Sequence, residues 1–159
     1  MSRANLPFST LFAHADLVVG LRTALGWKRF AAGLRDRVLW LVVFAGCIGL
    51  LYPPSATVPA VWRLVLSAFS EELTFRALIQ EQLETTLPSG SPLLRRIGIV
   101  PANLLVSVLF ALAHLPAQSV LAALSTFFPS LMFGLIWTRS RSLWLCTFLH
   151  IYYNILYQL

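Results

Sequence analysis

Five long apolar runs dominate the chain, separated by short stretches that are alternately basic and uncharged. They cover 38–52 ("VLWLVVFAGCIGLLY"), 58–86, 99–115, 119–138 and 143–159. Each is longer than an ordinary strand, and most carry Leu, Val and Phe on every side, the pattern of a helix in apolar surroundings. A helix needs about 20 residues to cross roughly 30 Å of hydrocarbon. Several runs fall a little short, a mismatch that local thinning or flanking Arg and Trp absorbs. The pattern predicts an all-α fold: a polytopic transmembrane helix bundle of about five spans. Pro53-Pro54 ends the first span, Pro116 follows the third, and Pro129 predicts a kink in the fourth.

Residues 1–37 behave differently, alternating apolar and basic positions. Leu17, Leu21, Leu25 and Trp27 share a broad helical face, with Arg22, Lys28 and Arg29 off it. This predicts an interfacial amphipathic helix lying on an anionic leaflet. The chain therefore divides into a cytoplasmic or interfacial segment, 1–37, and a transmembrane bundle, 38–159.

Composition sharpens the class. With 58% hydrophobic and 11% charged residues, the chain is far from a soluble domain, which carries about 25% charge. The net charge of +6 comes from eleven Arg and one Lys against six acids. Most of these arginines lie between apolar runs, so the expected partner is the lipid bilayer and not nucleic acid. "YPPSATVP" and "LPAQS" carry no charge, whereas "SGSPLLRRIG" holds Arg95 and Arg96, and "RSRS" holds Arg139 and Arg141. By the positive-inside rule the N-terminus is cytoplasmic and the C-terminus outside. The two cysteines, Cys47 and Cys146, both lie in apolar runs and read as packing residues.

Three polar clusters interrupt the oil. "SEELTFRAL" (70–78) places Glu72 and Arg76 four apart with the acid first, the favourable order for a helical ion pair. Glu71 points about 100° away and is not consumed by that pair. On a solvated helix this spacing is ordinary. A dozen residues into an apolar run, an ionised carboxylate costs several kcal/mol unless paired, which points to function. "FALAH" (110–114) stacks Phe110 and His114 one turn apart, and "HIYYN" (150–154) puts His150 and Asn154 on one face. Taken alone, the first reads as a packing histidine and the second as part of an interfacial aromatic belt. Three spans with one polar cluster each, in a bundle with one interior, predict convergence.

These three stretches resemble, in order, the Glu-Glu-x-x-x-Arg, Phe-x-x-x-His and His-x-x-x-Asn motifs of the CAAX protease and bacteriocin-processing family of intramembrane endopeptidases. The chain is shorter than the usual member and is similar to the compact bacterial ones that process C-terminal sorting signals, the JDVT-CTERM type. The resemblance implies a glutamic-type protease without a cofactor in the inner (cytoplasmic) membrane. Glu71 would be the general base, activating water with His114. His150 and Asn154 would donate to the oxyanion, and Glu72, Arg76 and Phe110 would support them. The implied substrate is a membrane-anchored protein with a C-terminal transmembrane signal.

Rival readings remain open. Glu71, His114 and His150 could form a three-ligand zinc site with an open fourth position, although His-Glu-x-x-His spacing is missing. A non-enzymatic immunity or assembly protein could retain the polar core for packing. A proton-coupled carrier would need an inverted repeat, and the sequence has none.

Overall fold

Caps and prolines in the sequence decide where many of the helices begin. The computed structural model describes residues 14–48, 60–88 and 90–157. In chain order these form α1 (His14–Ala24), α2 (Trp27–Gly33), α3 (Arg37–Gly46), α4 (Val61–Glu72), α5 (Glu81–Thr86), α6 (Pro92–Ile97), α7 (Pro101–His114), α8 (Val120–Ser125), α9 (Phe127–Ser140) and α10 (Leu143–Tyr157). A π-helical stretch, Leu73–Gln80, runs between α4 and α5 with helical dihedrals at both junctions. Asp36 opens α3 by accepting from the Val38 amide at 2.9 Å. Ser91 and Ser119 cap α6 and α8 in the same way. Pro92 and Pro101 occupy the first turns of their helices, where the missing N–H has no partner to lose. Every described element is helical, as the apolar patterning predicts.

α10 packs against α4 and α9, and α7 packs against α9. Between them Phe133, Ile136, Trp137, Leu143, Cys146 and Leu149 form the buried core. The close approach of α7, α9 and the π stretch depends on Gly134. A Cβ there would lie 1.8 Å from Asn103 Oδ1 and 2.8 Å from Gln80 Oε1, so no larger residue fits without displacing both. Facing outward, Trp40, Leu41, Phe44, Leu66, Leu121 and Phe148 are exposed. An apolar outer surface of this extent suits contact with hydrocarbon.

Three expectations need correction. The fourth run is interrupted not at Pro129 itself but upstream, at Thr126 between α8 and α9, which stays in helical dihedrals (φ −64°, ψ −13°). A proline ring clashes with the carbonyl four residues earlier, here Ser125, so the interruption falls upstream of the proline itself. The amphipathic face drawn through Leu21, Leu25 and Trp27 is not continuous. Gly26 is extended (φ −68°, ψ 128°) and separates α1 from α2, as a weak helix former readily does.

The expected five spans recur as helical segments in order, but not as five separate membrane-length helices. Among the described residues only the run Val120–Ser140 is long and apolar enough to cross by itself. Arg37–Gly46 and Pro101–His114 are apolar but shorter. The second run is long enough but carries six charged residues, Arg63, Glu71, Glu72, Arg76, Glu81 and Glu84. The end of the first run, with Pro53-Pro54, lies outside the described residues.

One end of the bundle collects the basic loops. Arg139, at the end of α9, forms a two-pronged pair with Asp36, at 2.5 and 3.0 Å, and donates to the Arg96 carbonyl at 2.7 Å. Arg141 pairs with Glu81 and Glu84 of α5. Segments read as basic from sequence thus meet at the same end.

Candidate active site

Glu71 and Glu72 end α4 side by side, and the helix turns them to different surroundings. Glu72 is fully buried and both of its oxygens are engaged. Oε2 accepts from Arg76 Nε at 3.1 Å, and Oε1 lies 2.8 Å from His150 Nδ1. Glu71 is half-buried. Its Oε1 accepts from the Ser67 hydroxyl, one turn earlier, at 2.5 Å. Its Oε2 is buried with no hydrogen-bond partner among the described residues.

Two imidazoles face that oxygen. His114 Nε2, at the end of α7, and His150 Nε2, in the middle of α10, are each 3.8 Å from Glu71 Oε2. That is too long for a direct hydrogen bond, and short enough for one oxygen atom to touch both sides. The partners on the far side of each ring fix its orientation. His114 Nδ1 lies 2.8 Å from the Phe110 carbonyl, which can only accept, so Nδ1 carries the proton. His150 Nδ1 faces the Glu72 carboxylate and donates likewise. With Nδ1 donating, each imidazole turns Nε2 toward Glu71, able to accept when the ring is neutral and to donate when it carries both protons.

Aromatic rings hold this geometry. Phe110 packs on His114 with centroids 4.5 Å apart and meets His150 edge-on at 5.9 Å. Phe133 stacks on the His150 ring at 4.9 Å. Thus Glu71, Glu72, Arg76, Phe110, His114 and His150 come together from α4, the π stretch, α7 and α10. Asn154 is half-buried one turn beyond His150 on the same helix. Asn103 and Ser107 of α7 form a buried polar pair about three and two turns before His114.

Sequence reasoning missed part of the site. It assigned Glu72 to Arg76 alone, whereas Glu72 also holds His150. It also passed over Ser67, Gln80 and Ser130. Ser67 stands four residues before Glu71, and Gln80 four after Arg76, so helical spacing alone could have flagged both. The π stretch was not legible. An α-helix rotates residues four apart by about 40°, and wider π turns, which cluster at functional sites, keep Glu72, Arg76 and Gln80 closer to one line.

Chemically, the arrangement offers one carboxylate oxygen and two imidazole nitrogens around a common point, with an ion pair behind one of them. This suits a polarised oxygen nucleophile. Among the described residues, no three His, Cys, Asp or Glu side chains gather closely enough to hold a metal ion.

The family model described as Rce1-like, type II CAAX prenyl endopeptidase, matches residues 53–156, about two thirds of the chain and all three motifs. No curated protein and no solved structure matches.

Proposed function

The chain belongs to the Rce1-like type II CAAX prenyl endopeptidase family, a family of membrane-embedded proteases, and from that membership and the site geometry we propose that it is a glutamic intramembrane endopeptidase. The observation that carries this reading is the buried Glu71 Oε2 with two imidazole Nε2 atoms at 3.8 Å and no partner among the described residues.

In this reading a water bound between Glu71 and His114 attacks the scissile carbonyl carbon. Glu71 takes its proton as the new C–O bond forms. The carbonyl oxygen becomes an oxyanion, stabilised by the Asn154 carboxamide and by His150 Nε2. His150 can donate from Nε2 only when it carries both ring protons, with Glu72 as its counter-charge. Collapse of the tetrahedral species breaks the C–N bond, and Glu71 returns the proton to the leaving amine. Glu72, Arg76 and Phe110 hold the reacting groups in place.

Position supports a substrate class. The site lies roughly three helical turns from the basic end, where Arg139 and Arg141 sit. With that end cytoplasmic and the C-terminus outside, the site opens toward the middle or outer part of a bacterial inner membrane. That favours a membrane-anchored protein cut beside a C-terminal transmembrane sorting signal. A reporter fused after Leu159 that proves cytoplasmic would remove the orientation argument.

The direct test reconstitutes the purified protein with reporters carrying candidate C-terminal signals and locates the cut by mass. Wild-type cleavage with a folded, inactive Glu71→Gln is expected. Equal behaviour of the two would favour the non-enzymatic reading. Activity abolished by a chelator and restored by zinc would favour the zinc-dependent version.

A further inference from the structure

Arg76 is held far more elaborately than an ion pair with Glu72 requires. Its Nη2 donates to the Ser130 hydroxyl at 2.6 Å and to the Ser130 carbonyl at 3.0 Å, and its Nη1 donates to Gln80 Oε1 at 3.0 Å. With Nε on Glu72, four of the five guanidinium N–H groups have directed partners. Gln80 is itself fixed, because its Nε2 is within 3.1 Å of the Gly134 carbonyl, Glu84 Oε1 and Thr138 Oγ1. Glu72, Arg76, Gln80 and Ser130 are all fully buried. None of the hydrogen bonds joining them has water to replace it.

This network ends on an imidazole. Phe133 and Phe110 confine the His150 ring, so what remains to be decided is which nitrogen carries the proton and where Nε2 points. The position of Glu72 Oε1 decides both, and Arg76 sets that position. We infer that Ser130 and Gln80 are positioning residues: they clamp Arg76, Gln80 from its own helical run and Ser130 from α9, and through Arg76 and Glu72 they keep His150 protonated at Nδ1 with Nε2 aimed at Glu71. The assignment deepens the protease reading and rests on it for its catalytic consequence, but not for its structural one.

The chain has three histidines, which makes ring-nitrogen NMR practical on the ¹⁵N-histidine-labelled full-length protein in micelles, with His150→Gln identifying the signals. In the wild type, His150 Nδ1 should carry a strongly hydrogen-bonded proton. Ser130→Ala and Gln80→Met should each lose that signature while keeping the helical melt, and kcat on a cleavable reporter should fall about tenfold or more with KM unchanged. Ser130→Thr, which keeps the hydroxyl, should restore both. Unchanged His150 signals in folded Ser130→Ala and Gln80→Met would overturn the inference. Unfolding of both variants would also overturn it, by making the clamp a purely structural element. If wild type and Glu71→Gln prove equally inactive, the protease reading fails while the NMR result still decides the positioning of His150.

Discussion

The same helical run carries two charged clusters whose circumstances are opposite. At its centre Glu72, Arg76 and Gln80, with Ser130 of α9 against them, have no exposure, and every charge is matched by a directed partner. At its basic end Glu81 and Glu84 pair with Arg141, whose side chain is 27% exposed, beside a cavity of about 200 Å³ that Arg95 also lines. In low dielectric a mismatched charge has nowhere to go, so the central cluster must be geometrically complete. At the rim, solvent screens the charges and repairs errors, so the pairing is loose and each pair is worth little. Among the described residues two buried side-chain oxygens lack a partner, Glu71 Oε2 and Thr147 Oγ1, and the carboxylate is where the chemistry is proposed. The largest effects of substitution should follow that division.

Glu71→Gln should give the largest change, because it removes the base without removing a buried charge pair. A loss of roughly 10²–10⁴-fold in cleavage rate is expected with an unchanged melt. A comparable loss of stability would instead mark Glu71 as another structural member of the central cluster.

Glu72→Ala and Arg76→Ala test the other half of the comparison. Each leaves a buried partner charge uncompensated, and about 3–5 kcal/mol of destabilisation is expected by unfolding in mixed micelles. The double replacement Glu72→Leu with Arg76→Met should be markedly less destabilising than the sum of the single ones, while still abolishing cleavage. Single effects no larger than those of Arg141→Ala would erase the distinction between centre and rim.

Gly134→Ala should rank next. The new methyl would press on Asn103 Oδ1 and Gln80 Oε1, and overpacking of this kind costs about 1–3 kcal/mol. Because Gln80 braces Arg76, activity should fall along with the melting temperature. A neutral outcome would mean that α7 and α9 can separate slightly without disturbing the central cluster.

Much of this architecture was legible in the sequence, for reasons that vary by residue. Apolar runs of helical length specify helices whatever the solvent, and the caps at Asp36, Ser91 and Ser119 and the prolines at 92 and 101 mark their starts. The meeting of "EE", "FALAH" and "HIYYN" followed from polar groups needing company in an apolar interior. What was not legible depends on register. Whether Glu72 serves Arg76 alone or also His150 is decided by the turn of α4 against α10. The π widening that aligns Gln80 with Arg76 has no composition of its own. Pro129 marked a kink, but its steric reach acts four residues back, at Ser125, and the interruption falls at Thr126. Gly26 was passed over because the apolar positions on either side of it keep helical spacing.

The smallest effect belongs to the pair joining the N-terminal segment to α9, and pH resolves it. The Arg139 guanidinium, bonding both Asp36 oxygens, holds that carboxyl below its ordinary range, against the raising effect of partial burial, and the Val38 amide adds to the lowering. A carboxyl lowered on folding stabilises above its unfolded pKa, and the contribution is lost as pH falls through that value toward the folded one. Stability should therefore decline below about pH 4, by under about 1 kcal/mol for a pair this exposed. Asp36→Asn should remove that part of the acid dependence without touching the neutral-pH rate of cleavage. High salt should shrink the difference between Asp36→Asn and wild type, since the pair is screened. If Asp36→Asn instead lowered cleavage, the docking of α3 on the bundle would reach the central cluster.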